Sequence, residues 1–166
     1  MKDIEKFING FRTFRKDYFG QQESRFDELR DGQSPKTMVI ACSDSRVDPA
    51  ILTNSEPGDL FTVRNVANIV PPYEFDGAQH GVSAAVEYAV CHLIVHHIVV
   101  LGHSQCGGIH ALMEGGSHIC GGGGFIERWM SIAKPARERI LEELPDKDPA
   151  LQLRAAEEAS ILLSLE

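Results

Sequence analysis

The chain has 166 residues, of which 43% are hydrophobic and 24% are charged, and its formal net charge is −8. This composition is typical of a globular protein, and the length is enough for one domain that folds without disulfide staples. The negative charge excludes the basic footprint of a nucleic-acid-binding protein and disfavours an anionic membrane surface, so we expect small molecules or copies of the chain itself as partners.

The pattern of apolar residues also bears on location. No apolar stretch approaches the ~20 residues of a membrane span, and the charged N-terminal residues do not resemble a signal peptide. We therefore expect a cytoplasmic protein, in a compartment where thiols stay reduced. The four cysteines are then better interpreted as metal ligands or buried packing residues than as two disulfides.

The first half of the chain predicts two helices followed by two strands. Apolar residues recur at helical intervals over residues 3–19, and a second short helix is predicted for residues 22–29. After a loop over residues 31–35, the run TMVIACSD predicts a buried strand, and LFTVRNVA predicts another after the turn at residues 54–59.

The second half predicts a third strand set among helices. Apolar residues at helical spacing from Val82 to Ile94 predict a helix, the strand covers residues 98–101, and a further helix follows Gly107 and Gly108. The four glycines at residues 121–124 predict a flexible loop, and helical patterns resume at Phe125 with breaks near Pro135 and Pro145. Strands that alternate with helices predict an α/β fold, with a mostly parallel sheet flanked by helices.

Two predicted strands end in residues that bind metals. The first strand runs into ACSDSR and the third into GHSQC, and sites in parallel sheets form where strands end. Cys42, His103 and Cys106 therefore converge at one edge of the sheet. Two thiolates and one imidazole with an open fourth position match a catalytic zinc site. The alternative is that both cysteines are buried as small hydrophobic residues.

The remaining cysteines and histidines have weaker interpretations. We expect Cys91 to pack in the core or flank its helix, and His92, His96 and His97 to lie at the surface or at a helix end. Cys120 and His118 fall in the glycine-rich loop, where a second metal is the less favoured alternative. For two single histidines, the sequence indicates no partner: His80 and His110.

Asp44 and Arg46 follow the first cysteine directly. On a free surface such a pair contributes little. Beside a zinc ion, the carboxylate would orient a bound water, and the guanidinium would hold the carboxylate ionised and in place. Asp44 could instead bind the metal itself as a fourth ligand and close the site.

The segments ACSDSRV, FTVRNVANIVPPY and VLGHSQCGG together resemble the β-class carbonic anhydrases, and the resemblance extends from about Gln33 to Gly108. It implies one Zn²⁺ per chain, bound by the cysteine–histidine–cysteine set, with Asp44 and Arg46 as a catalytic dyad. It also implies reversible hydration of carbon dioxide to bicarbonate by a zinc-bound hydroxide that the dyad orients.

The same resemblance suggests a subclass. Gln33, Phe61, Val66 and Tyr88 match the substrate pocket of plant-type members, which Gly107 and Gly108 complete. The bicarbonate-regulated subclass has tryptophan and glycine where this chain has Val39 and Ala41. We therefore expect no regulatory bicarbonate pocket, and an open site at neutral pH. Tyr88, His110 or buffer would carry the proton to solvent.

The resemblance further implies a single domain that works as an oligomer. We expect residues 1–30 to form a helical arm that wraps a partner, and residues 36–166 to form the zinc core of a homodimer or tetramer. The final helical pattern, LQLRAAEEASILLSLE, has no glycine cap, and we expect the family's C-terminal strand and helix to be missing.

Three alternatives remain open at this point. The enzyme could hydrolyse carbonyl sulfide or carbon disulfide, which resemble carbon dioxide in shape. The chain could be a catalytically inactive zinc-binding fragment, which predicts bound zinc without turnover. It could also be a redox sensor, in which Cys42 and Cys106 oxidise with loss of metal.

Overall fold

A computed structural model of the protein describes residues 2–19, 25–74, 79–115 and 124–166. Its parallel sheet contains β1 (Thr37–Cys42), β2 (Leu60–Asn65) and β3 (His97–Leu101), in the order β2-β1-β3. The helices, in chain order, are α1 (Lys2–Phe19), α2 (Arg25–Leu29), α3 (Pro49–Thr53), α4 (Gly81–Cys91), α5 (Gly107–Met113), α6 (Phe125–Met130), α7 (Lys134–Glu143) and α8 (Pro149–Leu163). The predicted α/β fold is confirmed.

Strand β1 lies at the centre of the sheet. Its residues from Met38 to Cys42 are all buried, as expected for an apolar strand paired on both sides. Thr37 is in register with Leu60 of β2 and with His97 of β3. The carboxyl ends of all three strands therefore lie at the same edge of the sheet.

The buried side chains form two clusters. One contains Met38, Ile40 and Ala89, and packs against Val63 and Val86 from β2 and α4. The other joins the ends of the strands to the C-terminal helices; it contains Cys42, Ala67, Ile69, Cys106, Ile109, Met130, Ala133, Ala136, Ile140, Leu153, Ala156 and Ala159. Both cysteines of the predicted metal site thus belong to the cluster that α8 completes.

Helix α3 was not predicted from the sequence. Its N-cap is Asp48, whose Oδ1 accepts hydrogen bonds from the backbone N–H groups of Ala50 and Ile51, and Pro49 occupies the first turn. Asn54 ends the helix in the left-handed conformation, with φ of 51°. A five-residue helix held by its caps leaves little periodic signal in a sequence.

Several predicted boundaries were wrong by a few residues. Strand β1 ends at Cys42, because Val47 N donates to Asp44 O and closes a turn. The helix predicted to extend to Ile94 ends at Cys91, because the backbone of Ile94 is left-handed with φ of 52°. The break predicted near Pro135 is only a change of helix, since proline is tolerated in the first turn of α7.

The N-terminal helices form an aromatic cluster of their own. The ring of Phe14 on α1 packs against those of Tyr18, Phe19 and Phe26, and Phe26 belongs to α2. Apolar side chains of α1 nevertheless remain largely exposed: Ile4, Phe7, Ile8, Phe11 and Phe19.

Of the predicted second helix, residues 22–24 lie outside the described part of the chain. Within that part, no helix combines the length and apolarity needed to cross a bilayer.

Candidate metal centre

Three donor side chains meet at the carboxyl edge of the sheet. Cys42 is the last residue of β1, while His103 and Cys106 lie in the loop that follows β3. One donor atom from each lies within 4.8 Å of the other two, and the two Sγ atoms are 4.0 Å apart. Among the residues that the structure describes, no other set of three such side chains converges in this way.

His103 directs a free lone pair at this point. Its Nδ1 lies 2.9 Å from the carbonyl oxygen of Ser104, which can only accept, so Nδ1 carries the proton. Nε2 is then a lone-pair donor, and it is buried without any hydrogen-bond partner. A buried, orphaned nitrogen beside two thiols is unfavourable unless something binds it. The donor set fits a zinc ion, with the Ser104 carbonyl fixing the ring tautomer.

Burial controls the protonation of Cys106. The side chain is 2% exposed, and desolvation raises its pKa to about 11, against the opposing effect of backbone N–H groups of Ile109 and Gly108. The thiol is therefore protonated near neutrality in the metal-free protein. A zinc ion at this point would displace that proton and bind the thiolate.

Asp44 and Arg46 form a two-point ion pair beside the three donors. Arg46 Nε donates to Asp44 Oδ1 at 2.9 Å, and Arg46 Nη2 donates to Oδ2 at 2.7 Å. The backbone N–H of Arg46 also donates to Oδ1. These hydrogen bonds hold the pKa of Asp44 well below its usual range, and the carboxylate raises the pKa of Arg46. Asp44 Oδ2 is 3.9 Å from His103 Nε2, so an ionised carboxylate borders the centre.

Arg64 holds the loop that carries this pair. From β2, its Nε donates to Cys42 O at 3.0 Å, its Nη2 donates to Asp44 O at 2.7 Å, and its Nη1 contacts Asp48. Sequence analysis missed this residue. Its partners are mainly backbone carbonyls about 20 positions away, and a single arginine in a strand carries no signal of such contacts.

Glu157 was missed as well. It lies on α8, is 7% exposed, and its Oε1 accepts a hydrogen bond from the backbone N–H of Cys106 at 2.8 Å. A glutamate within an amphipathic helix ordinarily indicates a solvated face, so the sequence alone predicts the opposite environment.

The residues predicted for the substrate pocket separate into two places. Val66 and Gly108 adjoin the centre: a Cβ atom on Gly108 would lie 2.9 Å from Val66 Cγ1. Phe61 instead packs against the other buried cluster, and the centroid of its ring lies 5.8 Å from that of Tyr88, which is 45% exposed. Gln33 lies before β1 and Cys42 ends it, so the length of this six-residue strand, about 20 Å, separates them. One chain does not bring Gln33, Phe61 and Tyr88 to its own metal centre.

Gly107 opens α5, and an added Cβ atom there would have no atom within 4 Å. Its place directly after Cys106 puts it beside the centre with open space in front of it.

The other histidines and cysteines lie apart from the centre. His92, His96 and His97 are exposed, as predicted, and the ring of His92 stacks on that of Tyr88. Cys91 is also exposed, at the end of α4, so it flanks its helix and does not pack in the core. His110 has a partner that the sequence did not indicate, since its Nδ1 is 3.3 Å from Glu114 Oε2 one turn later on α5. The predictions for His118 and Cys120 fall outside the described residues.

Comparison with known proteins identifies relatives of this chain. A family model described as carbonic anhydrase matches residues 37–166. A carbonic anhydrase of Synechocystis sp. is 45% identical over 111 residues, which are 67% of this chain and 40% of the relative. The chain thus spans less than half of that curated protein.

Solved structures agree with this comparison. The β-carbonic anhydrase CcaA superposes with a TM-score of 0.91 at 35% identity, over 99% of this chain and 73% of that one. One of two tetrameric β-carbonic anhydrases from Sordaria macrospora superposes with a TM-score of 0.80 at 31% identity, over 96% of this chain and 77% of that one.

Proposed function

The chain belongs to the β-class carbonic anhydrases, and from that premise we propose that it catalyses the reversible hydration of carbon dioxide to bicarbonate and a proton. The observation that carries this proposal is the group of three donors, Cys42, His103 and Cys106, with the orphaned Nε2 of His103 directed at the two sulfurs. A carboxylate held ionised borders the same point.

Cys42, His103 and Cys106 would hold one zinc ion. When bound, zinc supplies the Lewis acidity that lowers the pKa of a water ligand towards neutrality. Ser104 O keeps His103 in the tautomer that presents Nε2, and the N-terminal N–H groups of α5 stabilise the Cys106 thiolate. Thiolate ligands require reducing conditions, and we propose the cytoplasm as the location.

Asp44 and Arg46 would position the attacking water. An ionised carboxylate can only accept hydrogen bonds, so Asp44 would accept one from the water and turn its lone pair towards carbon dioxide. Arg46 occupies both carboxylate oxygens and also donates to Gln105 O at 2.8 Å, which anchors the pair to the loop bearing the other two ligands. While Arg46 binds both of its oxygens, Asp44 would leave the fourth position of the metal open. It would become a fourth ligand only after release from Arg46.

The substrate pocket would be completed by a second copy of the chain. Val66, Gly107 and Gly108 come from the same chain as the metal ligands, whereas Gln33, Phe61 and Tyr88 lie elsewhere in it. In a homodimer, each copy would supply those three residues to the other, with the amide of Gln33 donating to a carbon dioxide oxygen. The helical arm, residues 1–30, has the exposed apolar side chains suited to such an interface.

We further propose the plant-type subclass, without bicarbonate regulation. The positions that would open a regulatory pocket are Val39 and Ala41, and both are buried in β1 at 4% and 0% exposure. Closely packed small apolar residues leave no polar cavity there for an anion.

The test is carbon dioxide hydration, followed by stopped flow on zinc-quantified protein. We expect rapid turnover in the wild type and a loss of about 10- to 100-fold or more in Asp44→Asn, because the amide is neutral and its NH₂ group would face the water. Asp31→Asn is the matched control: Asp31 is exposed, and its only described ion pair is with Arg30 at 3.7 Å. Full zinc occupancy without turnover of carbon dioxide would overturn the proposal, and turnover of carbonyl sulfide alone would assign a different substrate.

A further inference from the structure

Helix α8 backs the loop that carries two of the proposed ligands, residues 102–106, here called the metal loop. At one end of the loop, Gly102 packs against the helix so closely that an added Cβ atom would displace the end of the Ile161 side chain. At the other end, the backbone N–H of Cys106 donates to Glu157 Oε1 at 2.8 Å. Residues 157 and 161 are one helical turn apart and share a face. The helix thus contacts both ends of the loop, at Gly102 and at Cys106.

Glu157 is an unusual residue for that face. On the same helix, the side chains of Arg154 and Glu158 are 76% and 70% exposed, and they form an ion pair with each other across one turn. Glu157 is 7% exposed, on a face otherwise made of Leu153, Ala156 and Ser160. A buried carboxylate is unfavourable compared with an apolar side chain unless a polar contact requires it. The polar contact of this carboxylate is the hydrogen bond that it accepts from the backbone N–H of Cys106.

The metal loop also needs support because its backbone is strained. Gln105, the residue before Cys106, has φ of 56°, a left-handed conformation that glycine adopts easily and glutamine does not. A strained residue persists only where its surroundings hold it. Arg46 Nη2 donates to the carbonyl of Gln105 on one side, and Glu157 accepts from the following N–H on the other.

We propose that Glu157 is a positioning residue for the metal centre. By accepting a hydrogen bond from the backbone N–H of Cys106, it holds that backbone in the orientation that directs Sγ towards Cys42 and His103. The role depends on an acceptor oxygen at the right distance. This inference rests on the proposed zinc site, but it concerns a residue of α8 that contacts neither metal nor substrate.

The experiment measures zinc affinity by competition with a chromophoric chelator, together with the visible absorption of the Co²⁺-loaded protein. We expect Glu157→Met to weaken zinc binding by about 10- to 100-fold and to alter the Co²⁺ bands, the scale typical of losing a partner of a metal ligand. Glu157→Gln keeps an acceptor oxygen at the same distance and should stay within about threefold of the wild type. Glu158→Met, the same change one residue along the helix, is the matched control.

A second pair of variants separates geometry from charge, and applies also if Glu157→Met fails to fold. Glu157→Asp keeps the charge but withdraws the oxygen by one methylene, so we expect it to bind zinc more weakly than Glu157→Gln does. Equal zinc affinities in the Asp, Gln and wild-type proteins would overturn the proposal, as would a Glu157→Met protein that binds zinc as tightly as Glu158→Met. Absence of zinc binding by the wild type would instead overturn the zinc site, and with it the proposed function.

Discussion

Protonation distinguishes the individual residues of the centre. Asp44 accepts three hydrogen bonds from Arg46, so it remains ionised far into the acid range. Cys106 is desolvated and holds its proton into the alkaline range, with a pKa of about 11. The proposed roles of the two groups fit these protonation states, since Asp44 would accept a hydrogen bond at any ordinary pH and Cys106 would exchange its proton for a metal.

The raised pKa of Cys106 predicts how the stability of the metal-free protein depends on pH. The folded pKa of about 11 lies above the ordinary value of 9.0, so the contribution of this thiol is full below pH 9 and is lost as pH rises towards 11. We expect the free energy of unfolding to fall by about 1–3 kcal/mol more in the wild type than in Cys106→Ser over that interval. Urea unfolding followed by circular dichroism, with chelator and reductant present, measures the free energy of unfolding of both proteins at each pH. An equal fall in both proteins would contradict the assigned burial of the thiol.

At the scale of elements, the centre depends on how closely α5 approaches the turn after β2. In that turn, Ala67 has φ of 65°, and the side chain of Asn65 closes it through two hydrogen bonds to the backbone of Ile69. Gly108 packs directly on this turn, because an added Cβ would lie 2.9 Å from Val66 Cγ1 and 3.0 Å from Ala67 Cβ. The approach of α5 places Cys106, immediately before the helix, at the end of β1.

Alanine substitutions at the two glycines of α5 distinguish the effect of this close contact on stability from the effect of helix propensity. We expect Gly108→Ala to lower the free energy of unfolding by about 1–3 kcal/mol, because the overpacked methyl must displace Val66 or Ala67. Gly107→Ala, where no atom lies within 4 Å, should be neutral or slightly stabilising. Thermal unfolding of the two variants under identical conditions gives the comparison. A Gly108→Ala protein as stable as Gly107→Ala would show that α5 does not require so close an approach.

The sequence predicted that three donor side chains converge, but it did not identify the residues that support them. Cys42, His103 and Cys106 could be brought together because the apolar runs before them predict parallel strands, and parallel strands end at one edge. Arg64 and Glu157 could not be found, because each binds backbone atoms 20 or more positions away, and backbone atoms leave no residue pattern. The end of α4 was misplaced for a similar reason, since the left-handed backbone at Ile94 does not follow from its side chain.

For the whole molecule, the exposed face of α1 predicts self-association. Phe7 and Phe11 are 66% and 59% exposed on a helix whose described contact with α2 is made by the aromatic cluster around Phe14 and Phe26. Apolar surface of this kind is typical of an interface. A second copy of the chain would cover it and contribute Gln33, Phe61 and Tyr88 to the site.

Charged substitutions on the exposed face of α1 test whether this face is an interface. We expect the wild type to sediment as a dimer or larger assembly, and the variant Phe7→Asp with Phe11→Asp to shift towards monomer, because two carboxylates would be buried in the interface. Asn9→Asp with Thr13→Asp adds the same two charges elsewhere on α1 and should leave the assembly intact. Sedimentation velocity distinguishes the species. A monomeric wild type, or dissociation by both double variants alike, would argue against an interface on this face.

We propose that a zinc ion held by Cys42, His103 and Cys106 makes this chain a carbonic anhydrase. The most direct measurement removes bound metal with a chelator and follows carbon dioxide hydration by stopped flow as zinc is returned in known amounts. We predict that activity rises in proportion to bound zinc and reaches its plateau at one zinc per chain. Hydration that does not depend on zinc, or a chain that binds one zinc and still fails to hydrate carbon dioxide, would contradict the claim.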